Sequence, residues 1–175
     1  DVSRDRPFHS FLEKLEDFKE RQNDLNAEIG RAAGSGKTGE PNKDIARDQE
    51  ELRRDLEALR DEWYKESGSL GEVGSLDAAG TEMKEAAGDL RKDEPREARP
   101  HGDLAAEALA NAISEVEGKM AGLAAGIADQ LSSEAGGLAS RQRDLAQDTE
   151  QAKPGQGEPL KDQQDELNEQ AQELL

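Results

Sequence analysis

The sequence predicts an all-α protein, an elongated antiparallel helical bundle or coiled coil built from long helical hairpins. Three observations carry that expectation. Apolar side chains recur at alternating spacings of three and four along most of the chain. Twenty-four alanines and 37% charged residues in 175 are the composition of long helices. Gly- and Pro-rich stretches interrupt the pattern at only a few points. One observation pulls the other way: Leu, Ile, Val and Phe together number 29, against a net charge of −18, a balance typical of disorder. The sustained heptad spacing decides for helices, because a disordered chain has no need of it.

The first stripe is Phe8, Phe11, Leu15, Phe18, Gln22, Leu25, Ile29 and Ala32, a run of a and d positions broken only by the polar Gln22. Pro7 suits a first helical turn, and Ser3 or Asp5 could cap it. Residues 34–41 (GSGKTGEP) end this helix. A second stripe, Ile45, Gln49, Leu52, Leu56, Leu59 and Trp63, completes an N-terminal hairpin over 1–66, and Arg53, Arg54 and Glu57 are spaced for ion pairs along it. Residues 67–102 form a weaker, Gly/Pro-interrupted segment whose stripe is Leu70, Val73, Leu76, Gly80, Met83, Ala87 and Leu90. Its glycines each cost about 1 kcal/mol relative to Ala in a helix. The stretch Lys92–Gly102 (KDEPREARPHG), with two prolines, reads as a break.

Asp103 is then expected to cap a long helix through Leu109, Ile113, Val116, Met120, Leu123, Ile127, Leu131, Leu138, Leu145 and Ala152. Lys153-Pro154-Gly155 ends it, and Leu160, Leu167 and Leu174 mark a last helix, so that 103–175 reads as a long helix plus a C-terminal hairpin helix. A helix running from Asp103 to Lys153 would be roughly 76 Å long, and needs other long helices beside it. An internal repeat supports a second hairpin. RQNDLNAEI, DQEELRRDL, RQRDLAQDT and QQDELNEQA, starting at 21, 48, 141 and 163, share a Gln-x-acid-Leu core, and GEPNKD at 39–44 returns as GEPLKD at 157–162.

The segments DQEELRRDLEALRDEW, AAGTEMKEAAGDLRKDEP and DLAAEALANAISEVEGKMAGL together resemble the helical region of large bacterial membrane-anchored coiled-coil proteins of unknown function. The matching features are Gln49 and Leu52 on a Gln-x-x-Leu helix, Met83 and Leu90 in a Gly-Ala segment, and the Ala-rich helix 105–112. The resemblance spans about residues 45–125, implies no catalytic residue, and implies a cell-envelope or periplasmic setting for a full-length protein that carries a membrane anchor.

Candidate chemistry is sparse. With no cysteine, disulfides, thiol catalysis and cysteine zinc sites are out. Gly36-Lys37-Thr38 lacks the glycine a phosphate loop needs at position 31 and follows a helix instead of a strand. His9 and His101 stand apart with no ligand partner at helical spacing, and exposed positions are expected for both. No calcium-loop pattern occurs. No catalytic, cofactor-binding or metal-binding residue is nominated, and no cofactor is implied. Gly118, Gly122 and Gly126 form a small-residue stripe expected to let another helix approach beside Met120, Leu123 and Ile127.

Partners follow from charge. Residues 103–175 carry 15 acidic and 5 basic side chains, which repels nucleic acid. The longest apolar run, MAGLAAGIA at 120–128, is far short of the ~20 residues that span a bilayer. A chain that begins at Asp1 and stops inside an amphipathic pattern is expected to be a piece of something longer. The expected role is a non-enzymatic structural or scaffolding coiled-coil domain of a larger bacterial envelope protein, partnered by itself or another helical protein. The alternative is an acidic binding module for a basic protein or a helix. The residues expected to carry either role pack rather than react: Phe8, Phe11, Leu15, Phe18, Leu25, Leu52, Leu56, Leu59, Trp63, Ile113, Val116, Met120, Leu123 and Ile127.

Overall fold

The computed structural model describes residues 6–36, 38–67, 70–151 and 157–173. Among them are five helices and no strand: α1 Arg6–Ser35, α2 Glu40–Glu66, α3 Gly74–Arg91, α4 Pro95–Gln151 and α5 Gly157–Glu173. The protein is all-α. It divides into two compact units, Asp1–Met120 and Ala121–Leu175, so the boundaries expected near 66 and 102 both fall inside the first unit. Ser3, Asp5, Gly68, Ser69, Ala152, Lys153, Pro154, Gly155 and Leu174 lie outside the described residues.

The first unit packs α1, α2, α3 and the start of α4 around one another. Short connections (36–39 and 92–94) hold successive helices as antiparallel neighbours. The heptad stripes supply the interior. Leu15, Ile29, Leu52, Leu56, Trp63, Leu76, Met83, Leu90, Leu109 and Val116 are each no more than 2% exposed. Phe11, Phe18 and Leu59 are buried, whereas Phe8, Leu25, Ile113 and Met120 are half-buried at the edge of the core. Phe8 and Phe11 pack on Trp63 with ring centroids 5.8 and 4.6 Å away, and the indole N–H donates to the Gly71 carbonyl at 2.9 Å. Small residues let α3 and α4 approach closely: Ala79, Ala86, Ala87, Ala98, Ala105 and Ala112 are fully enclosed.

The expected break over Lys92–Gly102 is a tight turn of three residues, and α4 begins at Pro95, eight residues before Asp103. Pro95 opens the helix, where a missing N–H costs nothing. Pro100 forfeits only the bond to the Arg96 carbonyl, and both residues are exposed, so water can take that acceptor. Asp93 makes the turn with φ of 62°, and its carboxylate accepts from the Gly39 N–H at 2.7 Å and the Asn42 amide at 3.0 Å. It thereby caps α2, whose own N-cap, Gly39, has no side chain to do so.

The second unit consists of α4 from residue 121 onward and α5. Both GEP segments mark helix starts: Gly39 caps α2, and Gly157 opens α5. The Gln-x-acid-Leu segments do not play equal parts, however. Gln22 and Gln49 are buried partners, whereas Gln142 is exposed and Gln164 bonds Asn168 on its own helix at 3.2 Å. The reason is enclosure: α3 and α4 cover the first hairpin, and among the described residues nothing covers the second in the same way.

Two sequence expectations are not met within the single chain on α4. Leu123 and Ile127 are 41% and 51% exposed instead of packed, and Leu131 is 44% exposed. A Cβ built on Gly118, Gly122 or Gly126 meets nothing within 4 Å, so no helix approaches that stripe among the described residues. The register of the second unit explains the exposure of the leucine seam. Arg141 donates to Gln170 at 3.1 Å, which sets α5 antiparallel beside the C-terminal end of α4. With 17 residues, α5 reaches back only to about Leu138, leaving 121–137 uncovered.

Candidate interaction surface

The uncovered face follows from helix geometry. At 100° per residue Leu123, Ile127 and Leu131 fall within about 80° of one another, and Leu145 shares their sector. Leu145 is 5% exposed, and α5 supplies the half-buried Leu167 and Gln170 nearby. The same sector of the same helix is therefore sheltered at Leu145 and open at 123–131. Three large aliphatic side chains in successive turns form a patch, unlike the isolated Tyr64 and Leu104. The patch is nearly free of charge. Between Met120 and Ser140 the only ionisable residues are Asp129 and Glu134, in a chain that is 37% charged. Glu134 accepts from Gln130 at 3.0 Å along the helix.

The first unit differs, because its buried polar groups find partners. Gln22 and Gln49, both 0% exposed, exchange amide hydrogen bonds of 3.0 and 2.7 Å. Gln22 also donates to Asn26 at 2.8 Å, and Asn26 donates to the Gly102 carbonyl of α4 at 2.9 Å. This polar layer separates two apolar clusters, one around Leu56, Trp63 and Leu109 and one around Ile29, Ile45 and Leu90. Gly102 fits against Asn26 so closely that a Cβ would collide with the amide and lie 3.5 Å from Ile29. In the sequence the two glutamines were visible only as gaps in apolar stripes; their pairing needed the register of α1 on α2.

Ion pairs sit around this core. Lys14–Glu62 (2.6 Å) and Arg21–Asp55 (3.2 Å) link α1 to α2, and Arg60–Asp77 (2.7 Å) links α2 to α3. Exposed pairs of this kind contribute about 0–1 kcal/mol each. Glu50 is more enclosed: hydrogen bonding to Arg53 holds its carboxyl below the usual range against the opposing effect of burial, with Arg91 and Arg54 adding attraction. Hydrogen bonds from Gly39 and Asn42 likewise lower the Asp93 carboxyl. Burial, assisted by the nearby Asp77 and Glu72 carboxylates, raises the Tyr64 phenol.

His101 departs from the exposed loop position expected of it. It lies half-buried on α4, with Nδ1 2.7 Å from Glu82 and Nε2 3.9 Å from Asp89, both carboxylates on α3. Glu82 and Asp89 are two turns apart and share a face of α3, and the helical course of α4 from Pro95, where the sequence predicts a break, is what brings the histidine to face them. His9 is exposed. Gly36 forms a turn with φ of 63° between two helices, and Lys37 lies outside the described residues. Among the described residues no group of three His, Asp or Glu is placed to hold a metal ion, and no helix is long and apolar enough to cross a membrane.

Comparison with known proteins gives one match. The family model described as a domain of unknown function, DUF4175, matches residues 13–137, which takes in α1 from Glu13 onward, α2, α3 and α4 through the open leucine patch. No curated protein and no solved structure matches the chain. A match over so much of its length makes this protein a member of the DUF4175 family of unknown function.

Proposed function

We propose that the protein is a non-enzymatic helical scaffold whose first unit is a packed helical bundle and whose second unit presents an open α4 face that binds another helix. The observation that carries this reading is the contrast in burial along α4: Leu109 and Val116 are fully enclosed, while Leu123, Ile127 and Leu131 stand 41–51% exposed on one face whose single charge is Glu134. Folding alone does not require three exposed aliphatics in register, and burying them would remove apolar area worth about 25 cal/mol per Å² from water. The polar layer and tight glycine contact of the first unit mark a packed bundle rather than a deformable pocket within that unit. The reading includes a setting, a larger bacterial envelope-associated protein. Its support is the Gln-x-x-Leu helix, the Gly-Ala segment and the Ala-rich helix of the sequence. A basic partner is less favoured at this face, since Glu134 alone gives it charge.

The test is a triple variant, Leu123→Gln with Ile127→Gln and Leu131→Gln. At dilute concentration the parent chain should bind a neutral apolar dye that the variant does not bind. The variant should keep its helicity and its Trp63 unfolding transition within about 0.5 kcal/mol, as exposed substitutions do. Loss of the Trp63 transition would make these residues part of the fold and overturn the reading.

A further inference from the structure

We infer that the occupant of the open α4 face is a second copy of this chain, packed antiparallel about a two-fold axis near Ile127. The inference rests on reading that face as a helix-binding surface and names its partner. The residues themselves argue for self-pairing. Leu123, Ile127 and Leu131 are spaced four and four, so the seam reads the same in both directions. Reversed on itself about Ile127, it sets Leu123 against Leu131 and Ile127 against Ile127, the reciprocal contact an isologous interface requires.

Charge and size agree with this direction. Glu134 shares the sector of the seam, and antiparallel pairing places it opposite Met120. A parallel, in-register pair would face Glu134 with Glu134, which is destabilising. The face carries no basic side chain to attract an acidic partner and too little acid to select a basic one. The second unit needs such a neighbour. Leu145 is its one buried hydrophobic residue among those described, and helical hairpins bury their apolar faces by packing against others. First-unit architecture shows the kind of solution available, since there one hairpin is covered by two further helices.

The open stretch of 17 residues is about 25 Å of helix, which buries less than the 1,200–2,000 Å² of a standard stable interface. The dimer is therefore weak and concentration-dependent, with dissociation on the order of micromolar or above. Light scattering coupled to size exclusion of the 175-residue chain tests this across a concentration series. The mass should rise from 19.0 kDa toward twice that value as concentration increases. Ile127→Glu should hold the mass at 19.0 kDa throughout, while Leu104→Glu, at an exposed leucine outside the seam, should not change the rise.

Because the chain has no cysteine, single-cysteine variants report the geometry directly. Oxidised Ile127→Cys should cross-link to itself. Leu123→Cys should not, because its mate lies eight residues or about 12 Å away along the helix. Mixed with Leu131→Cys it should cross-link. A parent chain that stays at 19.0 kDa, or an Ile127→Glu variant that still doubles, overturns the inference. Self-cross-linking of Leu123→Cys overturns it as well. A monomer whose apolar dye binding is nevertheless lost in the triple glutamine variant overturns the second copy as partner while leaving the helix-binding face in place.

Discussion

Replacing the buried glutamine pair by leucine separates the cost of orphaning a polar group from the worth of the pair. Gln49→Leu removes the donor to Gln22 Oε1, leaving that oxygen buried at 0% exposure, while Gln22 Nε2 keeps Asn26. One orphaned carbonyl costs about 1–3 kcal/mol. Gln22→Leu is harsher, because it strands both Gln49 Nε2 and Gln49 Oε1, for about 2–5 kcal/mol. The double variant strands neither glutamine, takes a donor only from the half-buried Asn26 oxygen, which lies near the edge of the layer, and joins the two apolar clusters into one with side chains of nearly the same volume. Its stability should equal or exceed that of the parent. The cycle thus carries a coupling of at least about 2 kcal/mol, with the single variants less stable than the double. Urea unfolding followed through Trp63, the chain's one tryptophan, measures each corner. At about 1–3 kcal/mol per molar urea the midpoints should differ by roughly 1 M or more. Additive single effects would refute the argument, since they would mean that the two amides are not each other's partners.

Other perturbations test the remaining contacts. Gly102→Ala should destabilise the first unit by about 1–3 kcal/mol through collision with Asn26, measured by thermal melting; an unchanged melt would count against the close approach. Glu50 has a lowered folded carboxyl pKa, so its stabilising share is present above the ordinary glutamate range and lost as pH falls through the folded value. Glu50→Gln should therefore flatten the acid limb of the stability curve. Asp93→Asn should weaken the start of α2 and remove part of the same acid dependence, seen as faster amide exchange at Asn42. Tyr64 is the chain's single tyrosine, so its absorbance titration is unambiguous. Its midpoint should lie above 10 in the folded chain and return to about 10 in urea.

The seams of the first unit were readable because a helix converts alternating three and four spacing into one face, and Leu15, Leu52, Leu56, Trp63 and Val116 lie where that rule puts them. The start of α4 was not readable. Two prolines and a glycine within Lys92–Gly102 argue locally against helix, and only packing of Ala98 and Gly102 against the other helices outweighs them. Periodicity also could not foretell that Leu123 and Ile127 would lie open. A seam states which face is apolar but not what covers it, and coverage depends on how far α5 reaches. The partners of Gln22, Asn26 and His101 were hidden for a related reason: each contact joins residues 19 to 76 positions apart, through registers that no local pattern encodes.

Asp93 ties together two connections that are far apart in sequence. Its carboxylate belongs to the turn before α4, yet the groups it holds, Gly39 and Asn42, open α2. The two turns at that end of the first unit consequently share one clasp. A fluctuation that lifts either turn must release the other, so their amides should exchange with solvent as one cooperative group rather than fray one at a time. The α2–α3 connection is tied differently: the Trp63 indole N–H donates to the Gly71 carbonyl at 2.9 Å and the Lys119 ammonium donates to the Leu70 carbonyl at 2.7 Å, so side chains of α2 and α4 hold it instead of a carboxylate shared with another turn.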